Sequence, residues 1–123
     1  MQFDPLSNRV IGCALEVHRH LGPGLLESAY ATCLAHEFHL QQVDFQKEWP
    51  LPVKYKDILL DCGYRLDFLV ANELLLELKS VEKVLPVHEA QLLSYLKLSG
   101  KRTELLINFN VQLLKTGMKR LVM

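Results

Sequence analysis

Three observations predict a mixed α/β or α+β fold, with a central mixed sheet of about four to five strands flanked by helices. Apolar residues recur at helical spacing over the first forty positions and again near residues 86–99. Between these stretches the sequence turns β-rich, in short apolar runs separated by turn residues. Glycine and proline mark the boundaries. The 123 residues suit one domain with a sizeable core and no need of staples.

The elements follow in order. Asp4-Pro5 reads as an N-cap with proline in the first turn, and Leu6, Val10, Cys13 or Ala14, Val17 and Leu21 continue one helical face. Leu21-Gly22-Pro23-Gly24 stops this helix. A second is expected from about Leu25 to Leu40, with Ala29, Cys33, Leu34 and Phe38 inward. Strand character then begins at Trp49 and runs to Tyr55, with prolines 50 and 52 confining it to a sheet edge. A Lys56-Asp57 turn leads to Ile58-Leu60, and further strands are expected over 64–70 and 74–80 around a turn at Ala71-Asn72-Glu73. A third helix opens near Pro86 and stops at Gly100. One or two strands close the chain, at Thr103–Asn108 and Met118–Met123.

Composition limits the function. Half the residues are apolar and 23% charged, and no apolar run is long enough for a membrane span. The start Met1-Gln2-Phe3-Asp4-Pro5 has no secretory pattern, so a cytoplasmic location is expected. Cys13, Cys33 and Cys62 are odd in number and widely spaced, which excludes a disulfide framework and a CxxC-type metal site; buried reduced thiols are expected. The net charge is zero, which disfavours nucleic-acid binding by bulk electrostatics. The second half nevertheless carries nine bases against six acids, clustered at Lys97, Lys101 and Arg102 and at Lys115, Lys119 and Arg120, so a local basic face is one option and a solvated rim the other.

The informative charges are Asp67 and the triplet Glu77-Leu78-Lys79, set in apolar strands. Charges there either face water or form a site. A three-residue turn centred on Asn72 would set Val70 opposite Leu74, Phe68 opposite Leu76, Leu66 opposite Leu78 and Asp67 opposite Glu77. Asp67, Glu77 and Lys79 then share one face, with the carboxylate-bearing Cβ atoms ~5 Å apart. Facing carboxylates repel unless they share a proton or a cation, and a neighbouring lysine can steady charge developing on a phosphate.

The pattern of Asp67 followed by Glu77-x-Lys79 on the next strand resembles the signature of the PD-(D/E)XK nuclease superfamily, which has a restriction-endonuclease-like core. Gly24-Leu25-Leu26-Glu27-Ser28-Ala29-Tyr30 is similar to the motif that names its GxxExxY branch, and Tyr64-Asp67, Gln91-Lys97 and Leu106-Phe109 look like that branch too. The resemblance implies a Mg²⁺- or Mn²⁺-dependent nuclease. Glu27, Asp67 and Glu77 would be metal ligands, Lys79 the catalytic lysine, and Gln91, Tyr95 and Tyr30 substrate contacts. Nucleic acid is the implied partner, DNA ahead of RNA, and no iron–sulfur cluster is expected. A non-catalytic accessory module on the same fold is the alternative, and a homodimer would double the basic surface.

The remaining signals are weak. His36 and His39 stand one residue short of a zinc-protease spacing. His18 and His20 are expected at the surface, His88 at a helix start, and Trp49 as a core or edge anchor.

Overall fold

Asp4 starts the first helix by accepting hydrogen bonds from the Ser7 N–H (3.0 Å) and hydroxyl (2.7 Å), with Pro5 fitted to the first turn. In the computed structural model, which describes residues 3–123, α1 spans Pro5–Leu21 and α2 spans Glu27–Leu40. The sheet strands are β1 (Phe45–Pro50), β4 (Arg65–Val70), β5 (Leu74–Lys79), β6 (Thr103–Asn108) and β7 (Met118–Val122). They lie in the order β1-β4-β5-β6-β7. Strands β2 (Val53–Tyr55) and β3 (Ile58–Leu60) form a separate two-stranded hairpin. Helix α3, Pro86–Ser99, carries the chain from β5 to β6, the one parallel pair, as a parallel connection requires.

The sheet is the middle of three layers. Val10, Ala14 and Val17 of α1 and Tyr30, Leu34 and Phe38 of α2 pack on Phe68, Val70, Leu74, Leu76, Leu78, Leu105 and Ile107. On the opposite face Leu96 and Tyr95 of α3 meet Leu51, Leu66, Leu69, Leu75, Trp49 and Leu121. Each helix buries its apolar stripe against strands whose inward residues are Leu, Ile, Val and Phe, the setting in which burial is the dominant stabilising term.

Most predicted elements are present, with four corrections. The first strand begins at Phe45 rather than Trp49, because Phe45 packs against Phe38 and Phe68 although its polar neighbours Gln46 to Glu48 hide the alternation. Residues 51–60 do not extend the main sheet: Pro50 ends β1 at the sheet edge and Pro52 precedes the hairpin. His18 is buried, its Nε2 2.8 Å from the Val111 carbonyl, whereas His20 is exposed and pairs with Glu16. A closing segment remote in sequence covers His18, and helical periodicity is blind to such a contact. Of the cysteines, Cys13 is buried, Cys33 half-buried and Cys62 exposed, all as free thiols.

No helix of the described residues is long and apolar enough to cross a membrane.

Candidate active site

Strands β4 and β5 pair in the expected register, Val70 with Leu74 and Phe68 with Leu76, around a turn in which Ala71 and Asn72 take left-handed φ of 51° and 57°. The ladder stops there. Beyond it the Asp67 N–H donates to Glu77 Oε1 at 2.8 Å, and the Leu78 N–H donates to Asp67 Oδ2 at 2.7 Å. Each carboxylate replaces a backbone carbonyl of the missing ladder, so both lie in the gap where the strands part. The alternation of β4 slips at the same point. Leu66 and Leu69, three apart, both join the α3 side, whereas Phe68 and Val70 join the other core. Leu66 therefore does not share the face of Phe68, as strict alternation had it, because the local hydrogen bonds of Asp67 replace the pleat.

These carboxyls are tuned by their setting. Burial, then repulsion from Asp67, raises Glu77 well above the ordinary carboxylate range. Asp67 is raised chiefly by burial and further by the Glu27 charge, against the pull of the Leu78 N–H. The two acids titrate as one pair, and with Glu77 pushed well up the pair keeps a proton near neutral pH.

Lys79 ends β5, half-buried, with its charge favouring the ionised form of both acids. Its carbonyl accepts from the Phe109 N–H at 2.9 Å, whereas its ammonium makes no ion pair or hydrogen bond among the described residues. Glu27 stands in the first turn of α2, facing Asp67 across a cleft of about 220 Å³ that is also lined by Ser28, Ala31, Thr32, Lys47 and Glu48. Its Oε2 lies 3.4 Å from the Ser80 N–H, so it reaches the strand end and does not cap its own helix.

Tyr30 requires a correction. It is fully buried, stacked on Phe109 with ring centroids 4.4 Å apart, its hydroxyl donating to the Gly22 carbonyl at 2.6 Å and accepting from the Leu25 N–H at 3.2 Å. A side chain with no exposed surface touches no substrate; Tyr30 instead ties down the loop that delivers Glu27. Tyr95 is half-buried on α3 against Tyr64, ring centroids 5.6 Å apart, with its phenol raised by burial and then by the Glu77, Tyr64 and Glu104 charges. Gln91 lies one turn earlier, exposed and without a hydrogen bond among the described residues.

Sequence reasoning missed Glu104. This residue of β6 is fully buried, neither carboxylate oxygen has a hydrogen-bond partner, and burial followed by the Glu77 charge pushes it up to about 8. An acid interrupting the apolar run of Thr103–Asn108 was the available signal. Asn108 was missed as well: its side chain bonds the N–H and carbonyl of Val81 at 3.1 and 2.9 Å, anchoring the segment that leaves β5.

Among the described residues, no three His, Cys, Asp or Glu side chains are gathered in the geometry of a metal site. That includes His36 and His39. The donor chemistry at Asp67 and Glu77 does fit a hard divalent cation, since both ligands are carboxylates and Asp67 Oδ1 and Glu77 Oε2 take no backbone bond. Their mutual repulsion in a partly dry gap is what such a cation relieves.

A family model described as the PD-(D/E)XK nuclease superfamily matches residues 4–121. The chain belongs to that superfamily. The match runs from the α1 cap to the last strand. Searches of curated proteins and of solved structures returned no match.

Proposed function

We propose that this superfamily member is a divalent-metal-dependent nuclease of the GxxExxY branch, hydrolysing phosphodiester bonds of nucleic acid, DNA in preference to RNA. The observation that carries the reading is the parting of β4 and β5 at two carboxylates that hold each other's strand. A structural hairpin would have kept its ladder and left the acids in water. The motif Gly24 to Tyr30 supports the branch, because it has a local purpose here: the buried Tyr30 fixes Gly22 and Leu25, in the loop that leads into the helix turn carrying Glu27.

In this reading Asp67 and Glu77 hold Mg²⁺ or Mn²⁺, with Glu27 completing the set from α2. The bound cation polarises the phosphate and lowers the pKa of a water. The Lys79 ammonium orients that water or offsets charge developing on phosphorus. In the same reading Tyr95 and Gln91 of α3 position the substrate strand. A cytoplasmic place of action is part of the proposal.

An accessory role without turnover is favoured by one observation. Lys119 pairs with Glu89, Arg120 with Asp4 at 3.0 Å, and Lys101 binds the Asn72 carbonyl at 3.0 Å. Half of the six clustered bases are thus engaged inside the protein, leaving less free positive charge for a phosphate backbone.

Calorimetric titration with Mn²⁺ tests the site apart from activity. The protein is expected to bind the ion, more tightly at pH 8 than at pH 6 because the cation displaces the proton the pair otherwise keeps, and Glu77→Ala is expected to abolish binding. No Mn²⁺ binding by the native protein at either pH overturns the metal assignment.

A further inference from the structure

The β2–β3 hairpin has an apolar face that the protomer leaves largely open. Its register sets Val53 opposite Leu60, Lys54 opposite Leu59 and Tyr55 opposite Ile58. Directly opposed residues of an antiparallel pair share a face, so Val53, Tyr55, Ile58 and Leu60 lie on one side, with Lys54 and Leu59 on the other. Tyr55 is 59% exposed, Ile58 56% and Leu60 43%. None of these four joins either hydrophobic core. The pattern is that of a strand pair made to bury one face, yet the protomer covers it only in part.

We propose that this face is a two-fold dimerisation surface whose partner is the same hairpin of a second copy of the chain. Stability, area and charge each favour that occupant. A lone two-stranded hairpin is marginally stable in water, and β2 and β3 pair only with each other, so the segment gains most from a surface that packs on it. The apolar face amounts to roughly 400 Å², at the level where an exposed patch on a monomer marks an interaction site. Doubled by symmetry, and with the accompanying backbone and lysine stems, it approaches the ~1,000 Å² at the small end of specific interfaces.

Charge points the same way. Lys54 and Lys56 are balanced by Asp57 and Asp61, so the segment has no net attraction for phosphates. A two-fold axis also turns that balance into complementarity: with the hairpins antiparallel, Lys56 at the tip of one approaches Asp61 at the base of the other. Such an interface is isologous, the commonest arrangement among soluble oligomers.

Light scattering and sedimentation under reducing conditions test the proposal, since exposed Cys62 would otherwise cross-link copies. An interface this small and apolar is expected to dissociate at about micromolar concentration, so mass is followed from ~1 to ~300 µM. The native protein is expected to pass from monomer to dimer over that range. The variant Tyr55→Ser/Ile58→Asp, and separately Leu60→Lys, are expected to remain monomeric with unchanged far-ultraviolet circular dichroism, because these side chains belong to neither hydrophobic core. A native protein monomeric at every concentration overturns the proposal, as does undiminished dimerisation of both folded variants. A monomeric native protein whose hairpin variants lose affinity for an oligonucleotide assigns the face to nucleic acid and overturns it too. Mass alone is read, so the result stands whether or not the protein cleaves phosphodiesters.

Discussion

Glu104 is the residue whose position is hardest to reconcile with stability alone. It sits between Leu75 on one neighbouring strand and Leu121 on the other, fully buried, with both oxygens unpartnered. Burial holds its carboxyl at about 8 in the folded protein against an ordinary 4.5. As pH rises from 4.5, the unfolded chain therefore loses this proton first and binds fewer protons than the folded one. Glu104 thus costs nothing electrostatically below 4.5 and lowers stability progressively up to about 8. Glu104→Met, similar in length and apolar, is expected to raise unfolding free energy at pH 8 by about 1–3 kcal/mol and to flatten its decline between pH 5 and 8. Denaturant unfolding at several pH values checks this; an unchanged slope would mean that Glu104 is solvated or paired in solution. At this scale the sequence was half legible. Asp67, Glu77 and Lys79 stood out as charges in apolar strands, whereas Glu104 was hidden because a single acid in a strand normally faces water, and only the sheet order shows that both its faces are covered.

Among the elements, the start of α2 links sequence to site most directly. Gly22 and Gly24 adopt φ of 66° and 99°, conformations an L side chain resists, and their loop is pinned from below by the Tyr30 hydroxyl. The motif from Gly24 to Tyr30 is thus a device for placing Glu27, which explains why its tyrosine is buried while its glutamate is not. Tyr30→Phe removes both hydroxyl bonds and is expected to cost about 1–2 kcal/mol of stability. It is also expected to weaken Mn²⁺ binding, though less than Glu77→Ala does, because the loop then holds Glu27 less firmly. Calorimetry on the folded variant reads this, and native Mn²⁺ affinity would show that the loop does not position a ligand. Helix boundaries were readable because caps and stops are local: Asp4-Pro5, Leu21-Gly22 and Gly100 each mark an end. The separation of β2–β3 from the main sheet was not readable. Its residues are as apolar as those of the sheet strands, and what separates them is the pair of prolines, Pro50 at the end of β1 and Pro52 before the hairpin.

Across the whole molecule, two helices cover one sheet face and α3 the other, and the carboxylates sit where the central antiparallel pair opens. The superfamily match and this layered fold agree, and both follow from a sequence whose apolar pattern changes period at the right places. In the sequence the basic clusters left a local basic face and a solvated rim both open. In three dimensions Lys101, Lys119 and Arg120 are held by Asn72, Glu89 and Asp4, contacts between elements far apart in the chain that no local pattern encodes. Any grip on nucleic acid therefore rests on the remaining bases and on the metal site, and is expected to weaken steeply with salt. The most direct test is cleavage of single- and double-stranded DNA and of RNA by the purified protein with Mg²⁺ or Mn²⁺. Metal-dependent cleavage, DNA ahead of RNA, is expected, falling at least ~100-fold in Lys79→Ala and Glu77→Ala variants that remain folded. Cleavage that survives both substitutions, or a native protein that binds Mn²⁺ and cuts none of these substrates, contradicts it.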